Sequence, residues 1–358
     1  MKRPKSLFDW KAVIGIALSV ALLWYALRGV EPAAVWREIK GADPLYFLGS
    51  VAAAFLVFPI RAWRWATLLA ATAPGTSFRS RFAATTIGFM GNNVLPARVG
   101  EFARAYAFSK MEKISVVGSF GSLVVERLFD AIGVVGLLFV AMSLPGVPDI
   151  SNMGGRDLTA LANTLAVLVV IGMLLGISLV LFPTRTVDFV ERYIARFLPK
   201  TFRRPFVDAL EAFLSGLTVL RSPLLVSTAT AQTIVLWLFN AVGFWLGFKS
   251  FGIDVGFSGA LLLQSIIALA VSIPSGPGFF GPFEAAAKLV LIGGYGIAGD
   301  KAISFAIGFH LGGFIPVTVV GLIYAWRLGI SLREVEESEE LVEEAVERTL
   351  PPGHAADV

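Results

Sequence analysis

The sequence predicts an all-α integral membrane protein with about six full spans and two re-entrant broken-helix units that form an inverted repeat. The composition is 56% hydrophobic and 16% charged, whereas soluble domains average roughly 45–50% apolar and about 25% charged residues. Several uncharged runs reach the roughly 20 residues that a spanning helix needs. Two further apolar stretches, 88–106 and 273–289, are interrupted by glycine and proline. Irregular backbone survives at membrane depth only where it is buried in protein or lines a cavity.

The composition also excludes several kinds of site. The chain has no cysteine, which excludes disulfides, thiolate chemistry and thiolate metal sites. The two histidines, His310 and His354, are too few for a multi-histidine metal centre, and we expect no cofactor. Nucleic acid is not an expected partner, because the basic residues flank the spans instead of forming one stripe with exposed aromatic side chains.

Charge is distributed unevenly along the chain. The net charge is +4, but residues 334–347 hold eight glutamates and no lysine or arginine, so the remainder carries 4 + 8 = +12. Two interpretations of this basic membrane part stay open. It follows the positive-inside bias of membrane proteins, or part of it attracts anionic lipid head groups. The positive-inside rule places both termini on the cytoplasmic side of the cytoplasmic membrane.

The membrane domain is expected at 1–328, in two halves at 1–184 and 222–328. Full spans are predicted at 12–27, 45–69, 114–144, 158–184, 222–248 and 302–326. The mixed-charge segment 28–43 is expected to form an external loop or an interfacial helix. A basic amphipathic linker at 185–221 is expected to lie on the inner leaflet. The acidic tail at 329–358 is expected to be a solvated cytoplasmic helix.

The first broken stretch reads as a poor spanning helix. It contains Gly88, Gly91, Asn92, Asn93 and Pro96. Proline removes a backbone donor, glycine weakens a helix, and asparagine prefers turns. Arg98, Glu101 and Arg104 then follow at helical spacing. Because basic residues flank the stretch on both sides, both ends are assigned to the cytoplasm, and residues 82–108 are predicted to form a re-entrant hairpin.

The second broken stretch repeats this order of residue types. Its breakers are Pro274, Gly276, Pro277, Gly278, Gly281 and Pro282. Helix then resumes with Glu284 and Lys288 in the favourable i, i+4 order for an ion pair. Each stretch has a proline, a glycine, an acid, small residues and a base, and one enters from each side of the membrane. This pattern predicts an inverted repeat with the substrate site at the repeat interface.

The helix that follows each break is expected to present its N-terminus to an anionic head group. Free N–H groups and the positive end of the helix dipole favour anions there. Arg98 and Arg104 would add charge-assisted hydrogen bonds to a phosphate. Glu101 and Glu284 would balance these cations or take up a proton.

Charged residues inside predicted spans mark a pathway or a pairing. Arg61 and Arg64 lie three residues apart and share a helix face. They either snorkel to the cytoplasmic head groups, or one of them faces inward and holds a lipid phosphate. Glu126, Arg127 and Asp130 can form a local ion cluster. This cluster either ties its helix to the re-entrant arginines or belongs to a head-group or proton pathway.

Three runs carry a resemblance to a known family: GNNVLPARVGEFARAY, VVERLFD and PSGPGFFGPFEAA. Together they resemble the membrane domain of bacterial lysylphosphatidylglycerol synthases, and more closely the stand-alone flippase-like proteins built from that domain. Arg61 and the pair Arg64–Trp65 also resemble the family's second span. The resemblance implies a lipid translocase. Carried over residue by residue, it points to Arg61, Arg64, Asn92, Asn93, Pro96, Arg98, Gly100, Glu101, Arg104, Glu126, Arg127, Asp130, Pro274, Gly278, Gly281 and Glu284.

The resemblance implies a flippase-like transporter that moves a phospholipid or a head-group-modified lipid between leaflets, and not an enzyme. No soluble aminoacyl-transferase domain follows the spans in this sequence, so we do not expect lysine transfer from tRNA. A membrane-embedded lipid-linked glycosyl or phosphoryl transferase and a non-transporting membrane partner are the alternatives. Membrane lipids, including those with anionic head groups, are the expected partners. A homo-oligomer is left open, as are the lipid substrate, the direction of movement and proton coupling through Glu101, Glu126 or Asp130.

Overall fold

A computed structural model describes residues 10–95, 98–149, 159–194, 207, 210–211, 213–273, 275–338, 340 and 342. Every regular element in this part of the chain is helical, which confirms the all-α prediction. Pro96 and Pro274 lie outside the described residues, as do most of the linker from 195 and of the acidic tail from 343.

The first half contains the helices α1 (Trp10–Leu27), α2 (Pro32–Gly41), α3 (Pro44–Leu69), α4 (Phe78–Val94), α5 (Gly100–Glu112), α6 (Val116–Ser143) and α7 (Thr159–Leu181). Of these, α1, α3, α6 and α7 begin and end close to the predicted spans. The segment expected to be a loop or an interfacial helix therefore contains the helix α2. Asp43 begins α3, because its side chain accepts hydrogen bonds from the N–H groups of Leu45 and Tyr46, the usual role of an N-cap aspartate.

The second half is also helical. It follows α8 (Pro183–Phe189) and contains α9 (Pro223–Ser250), α10 (Phe257–Ala270), α11 (Pro282–Lys288) and α12 (Gly299–Arg327), with α13 (Leu332–Glu336) after the last long helix. Short π-helical turns at Val190–Ile194 and Leu289–Gly294 extend α8 and α11. The Ser222 hydroxyl accepts a hydrogen bond from the Leu225 N–H at the start of α9.

Three of the described helices, α3, α9 and α12, are long and apolar enough to cross a membrane. A fourth span results if the bent pair Val13–Leu27 and Pro32–Gly41, which meet at 78°, counts as one. The helix α6 is 28 residues long but carries three charged residues, and all three belong to an ion cluster in which Glu126 and Asp130 are buried. The chain is a multi-pass membrane protein, while six full spans and an inverted repeat stay predictions.

The first broken stretch forms an antiparallel hairpin of α4 and α5. The N–H of Ser77, before α4, donates to Glu112 at the end of α5 at 3.1 Å. At the other end, the Asn92 side chain accepts a hydrogen bond of 2.9 Å from the N–H of Gly100, where α5 begins. The helical hairpin matches the sequence prediction, and its re-entrant placement in the membrane stays a prediction.

Gly100 is the point where the two hairpin helices are too close for a side chain. A Cβ atom there would collide with the carbonyl oxygen of Gly88 and lie 2.6 Å from Asn92 Oδ1. We therefore expect Gly100→Ala to lower the free energy of unfolding by about 1–3 kcal/mol, as overpacking does. Thermal unfolding in detergent measures the change. The matched control is Gly136→Ala in α6, where a Cβ meets no atom within 4 Å. Equal unfolding temperatures for the two variants would contradict this packing.

The second broken stretch also forms a hairpin, from α10 and α11. A Cβ atom on Gly259, at the start of α10, would lie 2.6 Å from the Tyr295 hydroxyl, just after the end of the second arm. Two glycines shape the tip between the arms, since Gly278 has φ 67° and Gly281 has φ 99°. Glycine adopts a positive φ without the steric cost that other residues have there. Glycine at these two positions therefore allows the tip to turn sharply before α11.

The tips of the two hairpins meet. Arg98 adopts a left-handed conformation with φ 58° and is therefore outside the helix that the sequence predicted to include it. Its guanidinium donates to the carbonyl oxygen of Ile273 at 3.2 Å and lies over the ring of Phe279 at 5.2 Å. The two broken stretches therefore contact each other, while a shared substrate site stays a prediction.

Small residues join the two halves along α3 and α9. The Ser50 hydroxyl donates to the carbonyl oxygen of Gly243 at 2.8 Å, and a Cβ atom on Gly243 would already touch Ala53 at 3.4 Å. Small side chains at a helix interface let backbones approach closely in a membrane, where packing and hydrogen bonds replace the hydrophobic effect. The α3–α9 pair therefore sets the spacing of the two halves.

The start of the acidic tail packs against the first hairpin, and the expectation of a solvated helix is wrong for this part. Val335 on α13 is fully buried and lies against Gly91 of α4. The hydroxyl of Ser338, also fully buried, donates to the carbonyl oxygen of Val99. The backbone N–H of Ser331 donates to Glu334 and lowers the pKa of this carboxyl. Apolar burial therefore outweighs the polarity of the tail at its beginning.

Candidate functional site

A buried ion cluster connects α3 with α6. Arg61 Nη1 lies 2.8 Å from Asp130 Oδ2, and Arg64 Nη1 lies 2.7 Å from Asp130 Oδ1. Arg64 Nη1 also donates to the hydroxyl of Thr233 on α9 at 2.9 Å. The shared helix face of the two arginines is confirmed. The snorkelling interpretation is wrong, because both guanidinium groups point into the protein and are buried.

Glu126 is the centre of the cluster and is fully buried. Arg104 of α5 binds it through two hydrogen bonds, from Nη1 to Oε1 at 2.8 Å and from Nη2 to Oε2 at 2.9 Å. Arg127 Nη2 donates to Oε1 at 2.9 Å, and Arg61 Nη1 lies 3.4 Å away. The predicted ion pairing between α6 and the arginines of the first broken stretch is therefore present. Bidentate arginine–carboxylate pairs are among the strongest hydrogen bonds in proteins.

Arg104 does not play the role that its position in the sequence suggested. Its side chain is 1% exposed and stacks on Trp65, with the guanidinium carbon 4.0 Å from the ring centroid. Both of its terminal nitrogens are engaged by Glu126. Arg104 is therefore a positioning residue and is not free to bond a phosphate. The carboxylates of Glu126 and Asp130 each contact at least two guanidinium groups, so their charges are already matched.

A cavity of about 690 Å³ lies beside the cluster and between the two halves. Its charged lining residues are Arg61, Arg98, Glu101, Arg127 and Asp130. Arg127 reaches it with a side chain that is 41% exposed and lies 3.6 Å from Glu101. Arg64, Arg104 and Glu126 belong to the same ion cluster and lie behind these lining residues. Five arginines thus face three carboxylates, which leaves an excess of two positive charges.

Arg98 differs from the other cavity arginines in its partners. Arg61 and Arg127 are held by carboxylates at 2.8 and 2.9 Å. Arg98 bonds only a backbone carbonyl oxygen and an aromatic ring among the described residues, and its Nε has no hydrogen-bond partner there. Arg98 is therefore the cavity arginine that an anionic ligand could bond without displacing an ion pair.

The remainder of the cavity is mostly apolar and rich in aromatic side chains. Its aromatic lining comprises Phe58, Phe89, Trp237, Phe244, Phe279, Phe283, Phe309 and Phe314. Arg61 lies over the rings of Phe89 and Trp237, at 5.4 and 5.8 Å from their centroids. A cavity with a cationic end and apolar walls suits an amphiphile, whose head group and chain need these two environments.

The two asparagines of the first broken stretch line the cavity and also hold parts of the fold together through hydrogen bonds. Asn92 caps the start of α5 through Gly100. Asn93 donates to the hydroxyl of Thr318 on α12 at 2.8 Å, so it ties the first hairpin to the last long helix. Both also line the cavity. Both asparagines lie inside α4, so the prediction that they interrupt the helix is wrong, and the chain turns after Val94.

Glu284 of the second broken stretch has different partners from those that the sequence predicted. Glu284 contacts no arginine among the described residues, and the expected i, i+4 pair with Lys288 is absent. Lys288 donates instead to backbone carbonyl oxygens of Tyr25, Ala26 and Arg28. Glu284 Oε1 lies 2.6 Å from His310 Nδ1, and Oε2 accepts from the Gly281 N–H at 2.7 Å.

Sequence reasoning missed the contributions of His310, Phe279 and Trp237 to the site. A histidine within a long apolar span is a signal that could have identified His310, because ionisable groups inside a membrane usually face a cavity or a partner. No comparable signal exists for Phe279 and Trp237. Aromatic residues are frequent in this chain, and only the fold distinguishes those that face the cavity.

Comparison with known proteins connects this geometry to one family. Residues 12–321 match the family described as the lysylphosphatidylglycerol synthase TM region. The chain is 24% identical over 367 residues to the glycosyltransferase AglD of Haloferax volcanii, and the aligned region covers 95% of this chain and 58% of AglD. Two UPF0104 membrane proteins of Methanothermobacter thermautotrophicus are 22% and 23% identical, over 75% and 86% of this chain and 82% and 91% of their own lengths.

The matched region extends from α1 into α12 and includes every residue of the ion cluster and of the cavity wall. The three sequence runs that resembled this family lie in the two hairpins and in α6, which together build the site. This protein therefore belongs to the lysylphosphatidylglycerol synthase TM region family.

Proposed function

We propose that this protein moves a lipid with an anionic head group between the leaflets of the membrane. The observation that carries the proposal is the two-part cavity between the halves, with Arg61, Arg98 and Arg127 at one end and aromatic walls elsewhere. A head group would bind at the arginines while an acyl or prenyl chain lies against the apolar wall. No nucleophile or bound metal is needed for such a movement.

The ion cluster makes this site stable in a membrane. An unpaired charge inside the bilayer is costly, and the cluster pairs Arg61, Arg64, Arg104 and Arg127 with buried carboxylates before any ligand arrives. The excess positive charge remains at the cavity surface, where a phosphate group would be its natural counterion. Because the two hairpin tips meet at Arg98, a movement of either tip would change the head-group end of the cavity.

The test is a dithionite-quenching assay in liposomes that carry a fluorescent anionic phosphatidylglycerol or a zwitterionic phosphatidylcholine. We expect the wild-type protein to accelerate loss of the inner-leaflet signal, and to do so more for phosphatidylglycerol. Ala131→Trp should remove this acceleration, because Ala131 lines the cavity and a tryptophan would fill it.

The matched control is Val140→Trp on the same helix, which places the same side chain at a position that is 49% exposed on the outside of the protein. This variant should move lipid at the wild-type rate. Translocation by Ala131→Trp at the rate of Val140→Trp would overturn the assignment of the cavity as the lipid path. Absence of translocation in all three proteins would overturn the translocase proposal for these lipids.

A second candidate function is transfer of a sugar from a lipid carrier, which the name of the relative AglD favours. This chain spans 58% of AglD, so the name describes a longer protein. The same cavity would then bind a sugar-phosphate lipid as a donor. Purified protein incubated with a radiolabelled polyprenyl-phosphate sugar distinguishes the two functions. Release or transfer of the sugar would favour the transferase, and intact substrate found in the opposite leaflet would favour the translocase.

A further inference from the structure

A buried histidine–carboxylate pair forms part of the wall between the cavity and the second hairpin. His310 of α12 lines the cavity and is 8% exposed, and Glu284 of α11 is 1% exposed. Their facing atoms, Nδ1 and Oε1, are 2.6 Å apart. The ring of His310 stacks on Phe283, with centroids 4.3 Å apart, and lies 4.5 Å from the ring of Phe280.

The hydrogen bonds of the pair determine where its protons lie. His310 Nε2 is 2.8 Å from the carbonyl oxygen of Gly278. A carbonyl oxygen only accepts, so Nε2 carries a proton. The short contact between Nδ1 and Oε1 requires one more proton between them, since two bare lone pairs would repel. The pair therefore holds one shared proton, either on the imidazole or on the carboxyl group.

This pair also fixes both ends of the second hairpin tip. His310 holds the carbonyl oxygen of Gly278, and Glu284 Oε2 holds the N–H of Gly281. Phe279 lies between these two anchor points and packs under the guanidinium of Arg98. Loss of the shared proton would place a carboxylate against an unprotonated ring nitrogen, and the repulsion would move Glu284, which holds Gly281, away from His310, which holds Gly278. The position of Phe279, and with it Arg98, would then change.

Few other charges face the pair. Lys288, on the same helix as Glu284, donates to three backbone carbonyl oxygens, and Arg98 lies over the ring of Phe279. The neighbouring helix α10 has no charged residue, and α1 has only Lys11 at its start.

The charged residues at the start of α12 have other partners. Asp300 accepts a hydrogen bond from the Glu31 N–H, and Lys301 donates to the carbonyl oxygen of Gly252. Across the cavity stand Arg61, Glu101, Arg127 and Asp130.

We propose that His310 and Glu284 form a proton-binding site whose occupancy determines the position of the hairpin tip, so that lipid movement through the cavity is coupled to protons. This inference rests on the proposed translocase function. Each step transfers one proton between water in the cavity and the Nδ1–Oε1 pair, with no change in any other bond. The ligand of this site is a proton, and the site gives the transporter a means of using a pH gradient.

The proton site can be tested separately from transport, because the chain has only two histidines. In a His354→Ala background, selectively ¹⁵N-labelled His310 is the sole histidine, and its NMR resonances can be followed in lipid nanodiscs from about pH 5 to about pH 9. We expect the Nε2 resonance to be that of a protonated nitrogen, and the Nδ1 resonance to change as the shared proton is gained or lost. Glu284→Gln should alter this change, since it removes the carboxylate that shares the proton. Resonances that stay constant over this range would overturn the proton site.

Coupling is tested in phosphatidylglycerol-containing liposomes at several pH values. We expect wild-type translocation to change by up to about tenfold per pH unit near the midpoint, the limit for one titrating proton, and His310→Gln to show no such dependence. The Ser265→Ala variant, on the uncharged neighbouring helix α10, should keep the wild-type pH profile. An unchanged profile in His310→Gln would overturn the coupling. If no protein moves lipid, the translocase proposal fails, while the NMR titration still decides whether the proton site exists.

Discussion

Replacing Glu126 with glutamine is expected to lower the free energy of unfolding by about 3–5 kcal/mol, the cost of removing one partner from a buried ion pair. Glu126 is fully buried and bonds Arg104 through both carboxylate oxygens. Without this charge, Arg104, whose side chain is 1% exposed, would keep its positive charge in a buried place without the carboxylate that binds it. Unfolding in a graded series of denaturing detergent measures the change.

The matched control is Glu101→Gln. Glu101 is a carboxylate of the same cluster, but its side chain is 27% exposed and makes one 3.6 Å contact with Arg127, so its loss should cost less than about 1 kcal/mol. The double variant Glu126→Gln/Arg104→Met should regain part of the stability, because it removes the stranded cation together with its partner. Equal stability of the Glu126→Gln and Glu101→Gln variants would show that the cluster does not support the fold.

Replacing Arg98 with glutamine is expected to abolish the preference for anionic lipids and leave the fold intact. Arg98 is the cavity arginine without a carboxylate partner among the described residues, so a lipid phosphate would bond it without displacing an internal ion pair. A hydrogen bond to a charged group contributes about 1.5–3 kcal/mol, which corresponds to at least about a tenfold change in affinity. The ratio of phosphatidylglycerol to phosphatidylcholine translocation measures the preference.

Arg79→Gln is the control for this prediction. Arg79 is an exposed arginine near the start of α4, at the opposite end from the hairpin tip, and it does not line the cavity. Its loss removes the same charge from the chain and should leave the ratio unchanged. Arg98→Lys should keep part of the preference, because it preserves the charge but not the planar hydrogen-bonding geometry. An equal fall of the ratio in Arg79→Gln would show that the effect is one of net charge alone.

Much of the fold could be predicted from sequence because it depends on local properties. The bounds of α3 and α9 follow from the length of their apolar runs and from the capping residues Asp43 and Ser222. The two helical hairpins were indicated by clusters of glycine, proline and asparagine, which weaken a helix, although Gly88, Gly91, Asn92 and Asn93 lie inside α4 and the chain turns only after Val94. The cluster residues were identifiable because charge inside an apolar span needs a partner.

The roles of individual side chains could not be predicted in the same way. The sequence places Arg98 and Arg104 six residues apart at similar helical spacing, yet one faces the cavity and the other is bound by Glu126. The reason is that Arg98 lies in the turn between α4 and α5 with a left-handed backbone, whereas Arg104 lies on the face of α5 that packs against α6. Which face is covered depends on helices that are distant in the sequence.

The sequence by itself determined that this is a helical membrane protein. It also indicated which stretches interrupt the helices and which buried charges need partners. These properties arise from each residue's own preference for lipid, for helix or for a counterion. Only the tertiary structure decided that Glu284 pairs with His310 instead of with Lys288, that the beginning of the acidic tail is buried through Val335, and that the unmatched charge at the cavity belongs to Arg98. Such pairings depend on which helices pack together. Each side chain binds the partner that the assembled fold places within reach, and this is set by contacts between helices that are distant in the sequence.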